Sequence, residues 1–177
     1  MKTLVEILIV SLLLTVCGVA QSPSVPSRDT LFASAEVDAQ GQLHIRTTEG
    51  KDVTPGKDPT QVGFDKPAVS PDQHSVAWLA LYPNCCTSYP VPLDLVMYSR
   101  GTVSRFAGHG LPIWKWCFVA GGKIAYKQET VHGDSGVHYE LHDVDGGVRV
   151  SVYDHKPSDE NDASGRPDWV KAVDAAP

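Results

Sequence analysis

Short runs of apolar and polar residues in alternation follow one another between residues 31 and 154. The runs are rich in valine, isoleucine and aromatic residues, and turn-forming glycine, proline, asparagine or aspartate separates them. Such runs are typical of β-strands. They predict strands at residues 31–37, 43–48, 66–70, 75–82, 93–99, 102–106, 113–119, 123–129, 136–144 and 148–154. The pattern therefore predicts an all-β domain over residues 31–154.

Polar linkers and one short helix flank this domain. Residues 21–30 are rich in serine and proline, and residues 156–165 are polar and acidic, as in linkers. The segment RPDWVKAVDAA after the second linker has Pro167 where a first helical turn tolerates it. Trp169, Val170 and Val173 form an apolar stripe. Residues 155–177 are therefore predicted to be a linker and a C-terminal helix that caps the sheets.

A repeat underlies the strand pattern between residues 60 and 154. Ala77-Trp78 corresponds to Ala125-Tyr126 after a spacing of 48 residues. The segment AVSPDQHSVAWLA resembles the blade motif of TolB-like and related WD-type β-propellers. The resemblance implies antiparallel four-stranded units and protein partners. In this sequence Gln73 stands where the turn of that family usually has glycine, and the second repeat lacks the Ser-Pro-Asp residues.

The number of predicted strands is too small for a closed propeller. Residues 31–154 hold about two and a half such units, whereas closed propellers have roughly four to eight. Open sheets leave strand edges free to pair with other chains. Three arrangements remain open: association of copies into a homo-oligomer, two sheets packed face to face as a small sandwich, or coverage of the edges by the first hairpin and the C-terminus.

The N-terminus predicts export. Lys2 precedes an apolar run at residues 7–16 and the small residues Gly18 and Ala20, as in a signal peptide cleaved near Ala20. The run is shorter than the ~20 residues of a membrane span. We therefore expect a secreted or periplasmic protein with no stable membrane span after cleavage. A lipid anchor on Cys17 is disfavoured because Val16, rather than a small residue, precedes it.

Charge narrows the class of partner. The 177-residue chain has a net charge of −6, and loss of residues 1–20 leaves that charge unchanged because it removes one lysine and one glutamate. Proteins that bind nucleic acids carry a basic surface. We therefore expect no nucleic-acid partner, and a protein or glycan ligand instead.

Three cysteines remain after cleavage: Cys85, Cys86 and Cys117. In an oxidising compartment, a bridge from Cys85 or Cys86 to Cys117 would stabilise the fold by something on the order of 3–4 kcal/mol. A bridge between the two neighbours is the second alternative. It would be strained, because adjacent Cα atoms lie ~3.8 Å apart and unstrained bridges span ~4.4–6.8 Å. Free thiols or an intermolecular link are the third alternative.

Two connections are unusually long for hairpins, at residues 83–92 and 130–135. Because the two repeats are built alike, both loops should leave the sheets at one end, here called the long-loop rim. Loops held by a rigid sheet often carry binding residues. The alternative is that residues 83–92, with three prolines, are a rigid crossover. The candidate residues of the rim are Tyr82, Asn84, Cys85, Cys86, Tyr89, His132 and Asp134.

Neither a metal site nor a cofactor site is predicted. His138 and His142 lie four residues apart in a predicted strand, and roughly 13 Å of strand separates them. Zinc ligands lie within ~2.3 Å of one ion. The alternating Trp114, Trp116 and Phe118 predict a core face opposite Ile113, Lys115 and Cys117, or alternatively a stacking platform for a sugar or peptide.

The sequence thus predicts a non-catalytic binding module of the cell envelope or periplasm, recognising protein or glycan through the long-loop rim. A small cysteine hydrolase that uses Cys85 or Cys86 with His132 is one alternative. It would need the histidine within hydrogen-bond reach of the thiol. A structural module that assembles with its own copies is the other alternative.

Overall fold

A computed structural model describes residues 29–107, 110–132, 136–156 and 165–177. The predicted signal peptide, residues 21–28 of the first linker, Asp134 and residues 157–164 of the second linker lie outside the described residues. The described chain is mostly β, with one short C-terminal helix, which confirms the predicted fold class. No helix within these ranges is long and apolar enough to cross a membrane.

The strands form three antiparallel sheets. Sheet A contains β1 (Phe32–Val37), β2 (Leu43–Thr47) and β3 (Asp52–Val53). Sheet B contains β4 (Gly63–Val69), β5 (Ser75–Tyr82), β6 (Val91–Ser99) and β7 (Thr102–Ala107). Sheet C contains β8 (Ile113–Val119), β9 (Lys123–Glu129), β10 (Val137–Asp143) and β11 (Arg149–His155), and the helix α1 (Asp168–Ala175) follows. Sheets B and C each pair their four strands in chain order, as the sequence predicts.

Sheets B and C pack face to face. Their shared core contains Ala77, Leu79, Leu95, Met97 and Phe106 from sheet B and Ile113, Trp116, Ile124 and Tyr126 from sheet C. Side chains alternate between the faces of a strand, so the remaining apolar residues of these strands point outward from the pair. A second layer must therefore cover each outer face.

Sheet A and the helix supply these two covers. Trp78 and Val96 of sheet B pack with Phe32 and Ile45 of sheet A. On the far side of sheet C, the core cluster of buried residues comprises Ala125, Tyr139, Leu141, Val170 and Val173. The layers therefore follow the order sheet A, sheet B, sheet C, helix, without closing into a barrel. Of the predicted arrangements, face-to-face packing is present. The first hairpin covers the outer face of sheet B and also runs close to its edge strand β4, and the helix covers the outer face of sheet C.

The short turns of sheets B and C meet at one end of the stack. Arg100, in the turn between β6 and β7, forms a 3.0 Å ion pair with Asp145, in the turn between β10 and β11. The Ser70–Asp72 turn and residues 119–122 line one cleft at the same end. Because strand direction alternates, the loops at residues 83–90 and 130–136 leave both sheets at the opposite end. This end is the long-loop rim.

The Ser-Pro-Asp segment forms the turn into β5. The Ser70 hydroxyl donates to Asp72 Oδ1 at 2.5 Å and accepts from the Ser75 amide at 2.9 Å. Gln73 follows with φ of 63°, in the left-handed region that glycine adopts most easily. The turn therefore needs a left-handed backbone at this position, which explains why glycine is usual there, and in this chain Gln73 adopts that conformation.

The predicted alternation along β8 is wrong at its start. A register shift between Ile113 and Lys115 interrupts the pairing of β8 with β9. As a result, Ile113 joins Trp116 and Phe118 in the core between sheets B and C, instead of facing the other side. The indole N–H of Trp114 donates to the Glu129 carbonyl at 3.0 Å. The bulge thus removes Trp114 from the predicted aromatic face.

Candidate functional site

Tyr82, at the end of β5, ties three strands of sheet B together. Its hydroxyl donates to Asp94 Oδ2 at 2.6 Å and accepts from Arg105 at 3.3 Å. Burial and the Asp94 carboxylate raise the pKa of Tyr82, so the hydroxyl stays protonated and remains a donor. Of the predicted rim residues, Tyr82 therefore anchors the first loop to the sheet.

The first rim loop is held by its own polar contacts. Asn84 Oδ1 accepts from the Cys86 amide at 3.1 Å, and the Thr87 hydroxyl donates to the Tyr89 carbonyl at 2.6 Å. Tyr89 is 52% exposed, one of the largest apolar exposures among the described residues. The loop thus presents an aromatic ring to solvent. In the second loop His132 is exposed, and Asp134 lies outside the described residues.

The three described cysteines are free thiols, so the bridge to Cys117 is not formed in the structure. Cys85 and Cys86 are exposed, with their Sγ atoms 2.8 Å apart. The neighbouring Cys85 thiol raises the pKa of Cys86, and burial raises the pKa of Cys117. A cysteine nucleophile needs a lowered pKa. The raised pKa of Cys86 therefore disfavours this residue as the nucleophile of the hydrolase alternative.

A cleft opens at the long-loop rim of sheet C, where β10 begins and β11 ends. Its volume is about 470 Å³, within the range of small-ligand sites. Leu111 and Val137 give it an apolar part, and charged or polar side chains surround them. The polar side chains of the lining are His138, Asp154, His155 and Lys156. The cleft cannot be recognised in the sequence because three separate segments form it.

A buried carboxylate lies behind the cleft. Glu140 is 2% exposed, and its Oε2 accepts from the Tyr126 hydroxyl at 2.6 Å and contacts His142 Nε2 at 2.7 Å. Its Oε1 lies 3.1 Å from His138 Nε2 and 3.1 Å from Arg149 Nη1. These five residues are named the Glu140 cluster. They connect β9, β10 and β11 through one side chain.

The alternation of side chains along β10 explains the cluster. His138, Glu140 and His142 are spaced by two residues, so they share the face of β10 that is turned toward sheet B. His142 then packs between two aromatic rings, stacked on Tyr126 and edge-on to Phe106, with ring centroids 5.5 Å and 4.9 Å away. The segment HYELHD contains this signal, because its two histidines and its glutamate alternate with other residues. Among the described residues, no group of three potential ligands is placed to hold a metal ion.

His138 joins the cluster to the cleft. Its Nδ1 contacts Asp154 and its Nε2 contacts Glu140. Burial lowers the pKa of His138, but the hydrogen bonds to Asp154 and Glu140 outweigh burial and raise the pKa above its ordinary value. When it is protonated, the imidazole lies between two carboxylates and helps to compensate the buried charge of Glu140.

The raised pKa of His138 predicts a pH-dependent stability. Its contribution is complete below about pH 6.5, the ordinary histidine pKa, and is lost as pH rises through the higher folded-state value. Wild-type protein should therefore lose stability above about pH 6.5 more steeply than His138→Gln. Urea midpoints measured across this range check the slope, with His132→Gln as a control that keeps the wild-type slope. Parallel curves for wild type and His138→Gln would contradict the assignment.

No protein-family model, curated protein or solved structure matches this chain. The likeness of residues 60–154 to propeller blades therefore stays a prediction. What the chain itself offers as a guide to function is the long-loop rim, with its exposed tyrosine and its cleft.

Proposed function

We propose that the chain is an exported, non-catalytic binding module of the cell envelope or periplasm that holds a partner protein at the long-loop rim. The observation that carries this proposal is the cleft of about 470 Å³ at this rim. The loop with the exposed Tyr89 belongs to the same rim. Pockets of this size with an apolar part and a few polar groups suit ligand side chains.

The rest of the fold supports such a role. The rim loops project from sheets whose inner strands are buried on both faces, so the stack provides a rigid support. Tyrosine is favoured at binding hot spots because its ring is large and its hydroxyl is polar. A glycan is the alternative ligand, since an exposed ring also stacks on sugars.

Photo-crosslinking tests the proposal in cells that export the protein. A photoreactive phenylalanine derivative at Tyr89 should yield a protein adduct, whereas the same group at Glu49 should not. Glu49 is exposed in the turn between β2 and β3. This turn lies at the short-turn end, because the Thr48 amide donates to the Leu31 carbonyl and the Phe32 amide donates to Gln73 in the turn before β5. Adducts of equal yield at both positions would contradict the proposal. Absence of adducts together with glycan-array binding that Tyr89→Ala abolishes would assign a glycan instead.

The outer strand of sheet C supports a second candidate function, self-assembly. β11 is the terminal strand of its sheet. Val148, Val150 and Val152 beside and within it are 65%, 50% and 40% exposed. An exposed apolar edge strand is a template for pairing with another chain. β11 carries Arg149 at one end and Asp154 near the other, and both are exposed. Antiparallel pairing of two β11 strands would therefore bring opposite charges together, so a second copy is the partner that this edge favours.

Self-assembly through β11 predicts a mass that depends on concentration. Native mass across a dilution series should show a dimer for wild type and a monomer for a Val150→Lys/Val152→Lys variant. Val62→Lys is the matched control, because Val62 is 52% exposed but lies outside β11. A wild-type monomer at every concentration would contradict self-assembly, and a monomeric Val62→Lys variant would show that β11 is not the contact.

A further inference from the structure

The two exposed cysteines of the first rim loop are isolated from the third. Cys85 and Cys86 lie between β5 and β6, with their sulfur atoms 2.8 Å apart. Cys117 lies on β8 and packs against the cluster that holds the helix, on the face of sheet C turned away from sheet B. For each loop thiol the nearest partner is therefore its own neighbour.

We propose that Cys85 and Cys86 form a reversible dithiol–disulfide pair, oxidised by exchange with a small or protein disulfide. Both thiols are exposed, so an oxidant reaches them without any opening of the core. The Cys86 amide is fixed by Asn84 Oδ1 at 3.1 Å, which holds the two residues in place. This inference concerns the chemistry of the loop and does not depend on the proposed binding function.

The reaction balances with one external disulfide. One cysteine loses its proton and its thiolate attacks a sulfur of the external disulfide, which forms a mixed disulfide and releases the first external thiolate. The second cysteine, as thiolate, then attacks the cysteine sulfur of the mixed disulfide and releases the second external thiolate. The two cysteine sulfurs are oxidised by two electrons, which reduce the external disulfide. The two protons pass to the two released thiolates.

Geometry makes this bridge easily reduced, unlike a disulfide that stabilises the fold. Adjacent Cα atoms are ~3.8 Å apart, below the ~4.4–6.8 Å of unstrained bridges, and strained bridges are more easily reduced. A bridge between neighbours also closes no loop of other residues, so it removes little entropy from the unfolded chain. Its formation should therefore leave the unfolding midpoint unchanged, unlike a bridge to Cys117.

Glutathione disulfide is the probe that tests the pair. The mature protein is incubated with graded ratios of oxidised to reduced glutathione, and thiols are then alkylated under denaturing conditions. Intact mass should show loss of two hydrogens and one remaining alkylated cysteine, and peptide mapping should place the bridge between Cys85 and Cys86. Reduced glutathione should reverse it, and the urea midpoint should not change.

Two variants make the result specific. Cys117→Ser should form the bridge at the same glutathione ratio as wild type. Cys86→Ser should instead accumulate a mixed disulfide of Cys85 with glutathione, because the resolving thiol is absent. A bridge to Cys117, three alkylated cysteines at every ratio, or an equal yield of mixed disulfide in wild type and Cys86→Ser would each overturn the proposal.

Discussion

Replacement of Glu140 by alanine is expected to lower the free energy of unfolding by about 3–5 kcal/mol, as for other buried ion pairs that lose one partner. The carboxylate is 2% exposed and contacts Tyr126, His142, His138 and Arg149 within 3.1 Å. Without it, the buried Tyr126 hydroxyl and His142 lose their shared acceptor, and leaving buried polar groups unsatisfied is costly. Urea unfolding of purified wild type and Glu140→Ala measures the difference.

Glu129→Ala is the matched control on the neighbouring strand. The carboxylate of Glu129 pairs with Lys127 at 3.4 Å, and both side chains are partly exposed. Such a pair contributes about 0–1 kcal/mol, so this variant should stay close to wild type. Glu140→Ala should also flatten the pH dependence assigned to His138, since one of the two carboxylates that raise its pKa is removed. Equal stability losses for Glu140→Ala and Glu129→Ala would contradict the role of the cluster.

Truncation of Trp78 to alanine is expected to cost about 3–5 kcal/mol, the range for large aromatic residues in cores. Trp78 is 1% exposed, lies on β5 between sheets A and B, and packs edge-on against Phe64 with ring centroids 6.5 Å apart. Alanine would leave a cavity where sheet A covers sheet B. The measurement is the free energy of unfolding, together with amide exchange of β1 and β2, which should accelerate.

Two further variants separate packing from other effects. Trp78→Phe keeps an aromatic ring and removes an indole N–H that has no hydrogen-bond partner within the described structure. It should therefore lower the free energy of unfolding less than Trp78→Ala does. Trp169→Ala removes a tryptophan that is only partly buried, on the helix, and should cost less than Trp78→Ala. Equal free energies of unfolding for Trp78→Ala and Trp169→Ala would contradict the central role of Trp78 in packing sheet A on sheet B.

Local pattern was sufficient for most of the strands. The predicted bounds of β5, β8 and β9 agree with the observed Ser75–Tyr82, Ile113–Val119 and Lys123–Glu129. β3 was missed because two residues are too few to show an alternation. The first half of β4 was missed because Lys66 adopts φ of 46° beside a register shift, which breaks the period. Where the backbone departs from regular strand pairing, the alternation of apolar and polar residues no longer predicts the strand.

The candidate site was less accessible from sequence because it depends on partners from separate strands. The loop positions of the rim follow from the repeat, but the use of Tyr82 as an anchor depends on Asp94 and Arg105 across two strand pairs. Likewise, the HYELHD segment indicates a shared face, yet the burial of Glu140 depends on the packing of sheet B against sheet C. Sequence thus predicted where the loops leave the sheets, and not which side chains are fixed there.

The affinity of the rim for the partner crosslinked at position 89 tests the proposed function most directly. The dissociation constant is measured for wild type, Tyr89→Ala and Glu49→Ala. We predict that Tyr89→Ala weakens binding by about tenfold or more, as expected for an aromatic hot spot, and that Glu49→Ala, at the opposite end of the stack, binds like wild type. Wild-type affinity for Tyr89→Ala, or an equal loss in both variants, would contradict the long-loop rim as the binding surface.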